Sequence, residues 1–218
     1  MTGLSVRFAL YLAGSLLIGM SAREYARAFV ATRLHDPTPR LWGRLTFNPK
    51  VWFEPFGSGL LPAMILVLWA FLAGFLPPPV AYAKPAPVDP NFFRNRTRDT
   101  VETSLAGPAA NLGLAAIGGL VIRTGIRGEV YWIALAFMLA NLSLMLFHLI
   151  PIPGLDGARM LALALPPRAA EVYRNADQYL PLIVLVVLFL FAGPLIAIVN
   201  SLTDSFCRLL AGLPCPPS

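Results

Sequence analysis

Charge is missing from long stretches of this 218-residue chain, a pattern that few soluble folds tolerate. Uncharged runs cover residues 8–22, 55–83, 103–122, 130–155 and 178–203. Crossing a hydrocarbon core of about 30 Å takes about 20 helical residues, and every run except 8–22 reaches that length. The sequence therefore predicts an integral membrane protein. Composition agrees: 13% of residues are charged and 57% hydrophobic, against about 25% and about 45–50% in an ordinary soluble domain. Disorder is excluded as well, because it requires low hydrophobicity.

The net charge of +6 would suit a nucleic-acid partner. However, the 17 cations lie mostly between the apolar runs, the usual place for membrane-flanking charge. The expected partner is the lipid bilayer, not nucleic acid, and the expected location is a plasma membrane crossed several times. Cys207 and Cys215 sit near the C-terminus with none of the spacing of a disulfide scaffold or a zinc ribbon. The N-terminal stretch MTGLSVRFALYLAGSLLIGM lacks a small-residue cleavage site followed by a polar chain, so it reads as a retained helix.

Along the chain, a Pro-free segment predicts a first helix from about Leu4 to Leu34. Residues 35–59 carry Pro37, Pro39, Pro49 and Pro55, which exclude a long helix. Leu45–Phe47 and Val51–Phe53 read as two short strands around Asn48-Pro49, a small β-hairpin at or in the membrane surface. Further helices are expected over 60–76, 100–122, 130–149 and 178–202, with a short amphipathic one over 156–165 and a Pro-rich connection over 77–99. The expectation is an all-α membrane protein of about five to six transmembrane helices plus the hairpin, one polytopic domain over residues 1–202 and a short tail over 203–218. The basic residues of 33–50 and 84–98 number four each on either side of helix 60–76, so the positive-inside bias gives no orientation.

The run 8–22 is 15 residues long, about 22 Å at about 1.5 Å per residue. Its helix must recruit Arg23, Glu24 and Arg27 to reach across a bilayer. Ionisable groups at that depth are costly and mark a functional site unless they snorkel to the interface. Asp156, after the apolar run ending FHLIPIPGL, is a second such group, and its plain reading is the cap of helix 156–165. Glu54, in VWFEPFG, is a third. All three acids are expected to meet in one intramembrane pocket.

The ordered segments REYAR (23–27), DPTPRLWGRLTFNP (36–49), WFEPFG (52–57), AKPAPVDPNFFRNRTRD (83–99), SLAGPAANL (104–112) and FHLIPIPGLDG (147–157) resemble the site-2 protease family of intramembrane zinc metalloproteases. The likeness is strongest over residues 15–165 and is closest to small prokaryotic members. It implies a helical bundle around a membrane-embedded site whose substrates are membrane-spanning helices. In the family pattern H-E-x-x-H, two His bind zinc and the Glu activates water, and an Asp in N-x-x-P-x-x-L-D-G is the third ligand. The resemblance maps that Glu onto Glu24, that Asp onto Asp156 and the two His onto Arg23 and Arg27. It also maps the Asn of the L-D-G motif onto His148, a family His before I-D-P onto the Trp52–Glu54 stretch, and a substrate-positioning Asn onto Asn111.

Zinc takes a lone pair on N, O or S, whereas a guanidinium has donors only and stays charged. No cofactor is therefore expected. Arg23 and Arg27 would instead neutralise Glu24 and Asp156 by pairing, clamping the first helix to the L-D-G loop. The function expected is a catalytically inactive site-2 protease homologue that binds or regulates a single-pass membrane protein through its retained groove. The alternative is an active zinc protease with His148, Asp156 and Glu24 as rearranged ligands.

Overall fold

The structure is a computed structural model that describes residues 2–71 and 79–214. Helix α1 (Thr2–Arg33) is long and unbroken. It ends in a left-handed turn in which His35 has φ +77°, the N–H of Asp36 bonds Ala31 O at 3.0 Å and that of His35 bonds Thr32 O at 3.3 Å. These two bonds satisfy carbonyls that the last helical turn leaves open.

The expected β-hairpin is absent: the described residues contain no strand and the architecture is all-helical. After α1 come two single-turn helices, α2 (Thr38–Leu41) and α3 (Pro49–Trp52), and a π-helical turn over Pro55–Leu60. Asn48-Pro49 starts a helix where a hairpin turn was expected. The side chain of Asn48 accepts the Lys50 N–H at 3.1 Å, and Pro49 takes the first helical position, where its missing N–H has no partner to lose. Helix α4 (Leu61–Phe71) follows, and the end of the helix expected over 60–76 lies outside the described residues. The chain then runs extended beside the loop it has just left, with Tyr82 N–H on Gly57 O at 3.0 Å and Lys84 N–H on Trp52 O at 2.8 Å.

The remaining helices are α5 (Arg96–Arg123), α6 (Glu129–Leu149), α7 (Asp156–Ala164), α8 (Pro167–Asn175), α9 (Leu180–Leu190) and α10 (Ala192–Ala211). Only α5 and α6, among the described residues, are long and apolar enough to cross a membrane, which corrects the five to six spans expected. The uncharged run 178–203 is broken at Phe191 into α9 and α10, α4 has 11 described residues, and α1 carries four charges in its second half. Helix α10 continues to Ala211, into the stretch expected as a tail.

Helices α1 and α6 run parallel: Phe8 meets Trp132 edge-on with ring centroids 6.0 Å apart, and further along Gly19 faces Asn141. Helix α5 runs against both, with Gly118 on Ala134 and Met138 near one end and Gly107 on Arg23 and Arg27 nearer the other. One apolar cluster joins Leu12, Leu16 and Met20 of α1 to Ala140 and Leu144 of α6, with Trp52 and Ala83 closing it. A second joins α5, α6 and α10, and a third packs Leu155 against Leu180 and Val184 of α9. At the end where α1 stops and α5 begins, loops 34–60 and 79–95 lie together, tied by the Asp89 N–H on the Asp36 carboxylate at 2.9 Å.

Candidate functional site

Residues 23, 24 and 27 fall within just over one turn of α1, and burial there is nearly complete: Arg23, Glu24, Arg27 and Asp156 are all 3% exposed or less. Arg23 pairs with both Glu24 and Asp156. Arg27 pairs with the same two, its Nη1 3.1 Å from Glu24 and its Nε 3.2 Å from Asp156. The four side chains form a closed ring in which each arginine touches both carboxylates. Two positive and two negative charges cancel, which offsets part of the cost of burying them.

Asp156 is the first residue of α7, where the helix N-terminus favours a negative charge. Its carboxylate, expected from sequence either to cap this helix or to pair with arginine, faces the arginines of α1. Arg159, at the i+3 position, stands 3.9 Å away on the outer side. Glu24 takes a further donor, the Ala86 N–H at 2.8 Å, so its oxygens serve α1 and the extended 79–86 segment at once.

The arginine stems cross α5 at Gly107. A β-carbon there would lie 2.8 Å from Arg23 Cγ and 3.2 Å from Arg27 Cδ, so the Gly-Pro dipeptide leaves the room they occupy. Asn111, one turn further along α5, is fully buried, and neither amide atom has a hydrogen-bond partner among the described residues. His148 is 1% exposed, with Nδ1 on Leu144 O at 2.8 Å and Nε2 without a partner among the described residues.

The structure thus brings Arg23, Glu24, Arg27 and Asp156 together. It does not bring in Glu54, whose carboxylate accepts the Gly57 N–H and caps the π-helical turn. Trp52 is buried beside the site, its indole N–H on Thr46 O at 2.9 Å and the Arg44 guanidinium 5.1 Å above its ring. With Leu17, Met20, Lys50, Phe53 and Ala83 it lines a mostly apolar groove of about 390 Å³, one turn along α1 from Glu24. Ala86 and Arg159 were not singled out from the sequence, and Gly107 stood there only as part of the SLAGPAANL segment. Gly107 and Arg159 carried usable signals, a small residue where bulky groups cross and an i+3 cation after Asp156.

The zinc implied by the resemblance does not fit these residues. Both carboxylates are turned onto guanidinium groups, and arginine offers a metal no lone pair. Among the described residues no group of three or more His, Cys, Asp and Glu could hold a metal ion, so His148, Asp156 and Glu24 are not gathered into the rearranged ligand set.

No family model matches the chain, and no solved structure matches it. Curated relatives do. The chain is 34% identical to the Bacillus subtilis protein named "Putative zinc metalloprotease YwhC" over 93% of its own length and 92% of that protein's. It is 32% identical to "Putative zinc metalloprotease Rip2" of Mycobacterium tuberculosis, over 84% of this chain and 67% of that one. The Rip2 of Mycolicibacterium smegmatis matches at 34% identity over 83% of this chain and 67% of its own. On identity of this extent, covering almost the whole of YwhC, the chain belongs to the site-2 protease-like family of these zinc metalloprotease homologues.

Proposed function

We propose that this protein is a metal-free, non-proteolytic member of its family. It would sit in a membrane crossed by α5 and α6 and use the groove beside α1 to hold a membrane-protein partner. In this reading Arg23 and Arg27 stand where the family pattern has its two zinc-binding histidines, and Glu24 is the general-base position without a metal to work on. One observation carries the reading: Glu24 and Asp156 each stand in ion-pair contact with both arginines, and Glu24 also accepts the Ala86 N–H. Two guanidinium cations beside these carboxylates repel a zinc ion, and arginine itself offers it no lone pair. Asn111 and His148, buried with unpartnered polar atoms, and Trp52, in the groove wall, are the remaining residues assigned to partner recognition. The partner class is a single-pass membrane protein.

The decisive measurement is metal content by inductively coupled plasma mass spectrometry on protein purified after growth in zinc. The expected result is far less than one zinc per chain, and one zinc per chain overturns the proposal. A photo-crosslinking residue at Phe53, half exposed in the groove, tests the partner. Adducts with a single-pass membrane protein support it, and adducts with lipid alone overturn that part of it.

A further inference from the structure

Loops 34–60 and 79–95 were placed on opposite sides of a membrane by the sequence, because helix 60–76 appeared to separate them. The Asp36–Asp89 bond and the Lys84–Trp52 backbone bond put them on the same end. The consequence is a strong asymmetry of charge. At that end lie Arg33, Arg40, Arg44, Lys50, Lys84, Arg94, Arg96 and Arg98, joined by Arg159, Arg168 and Arg174 beyond α6. At the other end lie Arg7, Arg123, Arg127 and Arg208. Three of those four have partners: Arg7 stands 3.8 Å from Glu129, Arg208 bonds Asp204 at 2.8 Å, and Arg123 bonds the Leu210 carbonyl at 2.7 Å.

The cation-rich end also shows apolar side chains where a soluble surface would hide them. Leu41 is 79% exposed, Trp42 68% and Phe47 61%, with Phe53 and Phe92 half exposed. Exposed Arg40, Lys50, Lys84 and Arg94 alternate with them along the two loops, and no acidic side chain pairs with any of these four among the described residues. Asp36 is buried and spent on backbone N–H groups of Thr38 and Asp89. Aromatic rings settle at the headgroup level of a bilayer, and cations beside them are drawn to anionic lipid within a Debye length of the surface.

We infer that the face formed by loops 34–60 and 79–95 is a docking surface for anionic phospholipid and lies on the cytoplasmic side of the membrane. The inference rests on the reading that α5 and α6 cross the bilayer. The α5 flank then carries Lys84, Arg94, Arg96 and Arg98 on the inner side, against Arg123 at the end of α5 and Arg127 in the short outer connection, the bias that sets orientation in multi-span proteins. Trp42 and Phe47 enter the headgroup region, and Arg40, Lys50, Lys84 and Arg94 hold phosphate groups around them.

Two experiments test this on the full chain. Arg94→Cys and Arg127→Cys, expressed separately in a bacterial inner membrane, are treated with a membrane-impermeant maleimide, with the wild-type chain as background. Labelling of Arg127→Cys in intact cells, and of Arg94→Cys only after permeabilisation, is the expected result. The reverse pattern overturns the orientation and leaves the crossing intact. Equal labelling of both in intact cells, or of neither, overturns the crossing itself. Second, native mass spectrometry counts phosphatidylglycerol retained per chain after mild extraction. The Arg40→Gln, Lys50→Gln, Lys84→Gln, Arg94→Gln variant is expected to retain about tenfold less than wild type, and Arg7→Gln with Arg127→Gln as much as wild type. Unchanged retention in the first variant, or an equal fall in the second, overturns the lipid surface.

Discussion

Gly107 of α5 and Arg23 of α1 are in such close register that a single added β-carbon on the glycine would stand 2.8 Å from the arginine Cγ. The nearest atoms belong to the stem of a side chain whose head is fixed by two ion pairs, so it cannot swing aside. Gly107→Ala is therefore expected to cost about 1–3 kcal/mol through overpacking. Gly113, on the same helix with nothing within 4 Å of a β-carbon, is the control. Gly113→Ala should be neutral or stabilise by about 0.5–1 kcal/mol through helix propensity. Thermal melts in detergent compare them, and a Gly107→Ala melt at or above that of Gly113→Ala would contradict the packing.

Asp156→Ala removes one corner of the ion ring and leaves Arg23 and Arg27 facing Glu24 alone. Breaking a buried pair by deleting one partner costs about 3–5 kcal/mol, which for a chain of this size is roughly 6–20 °C of melting temperature. A shift under about 2 °C would mean that the ring holds nothing together.

Arg23→His with Arg27→His places two imidazoles one turn apart on α1, with Glu24 between them and Asp156 opposite. These residue types at this spacing bind zinc. The double variant is expected to take up one zinc per chain and to melt higher in its presence, by about 2.7 kcal/mol at a hundredfold excess over Kd. Absence of both effects would show that the backbone no longer supports a metal geometry.

Asp177, just before α9, supplies a pH test away from the ring. Burial raises its pKa above the ordinary 3.8, with the Gly154 N–H and Arg174 pulling the other way. A carboxyl whose folded pKa is raised binds its proton more tightly in the folded state. Its contribution to stability is then most favourable at low pH and is lost as pH rises from the unfolded value through the folded one. Asp177→Asn keeps an acceptor for Gly154 and removes the charge. Its melting temperature should exceed that of wild type at pH 7, with the gain shrinking to nothing below about pH 4. A gain that is constant with pH would assign the effect to packing.

Much of this was legible in the sequence because apolar runs and breakers act locally. The bounds of α1, α5, α6 and α7 follow from where Pro, Gly and charge interrupt hydrophobic stretches. Residues 23, 24, 27 and 156 stood out because charge at the end of an apolar run needs a partner, though only the fold shows that each arginine touches both acids. What failed depended on distant contacts or on ambiguous local chemistry. Asn48-Pro49 is equally good as a turn or as a helix start, and the Lys50 N–H on Asn48 decides for the helix. Glu54 looked like a third buried acid, yet the free Gly57 N–H three residues on claims it. The tally of membrane spans counted runs without seeing that Phe191 breaks one of them. The shared end of the two basic loops rests on Asp36 and Asp89, 53 positions apart, which no local pattern reports.

Arg23 and Asp156 lie 133 positions apart, and that separation sets a clock on the ribosome. At about 5–20 residues per second, roughly 7–27 s pass between the appearance of the arginine and that of its partner. Throughout that interval the stretch of α1 from Arg23 to Arg27 holds two cations against one acid. The charge balance of the first helix to be made is thus completed only when α7 arrives.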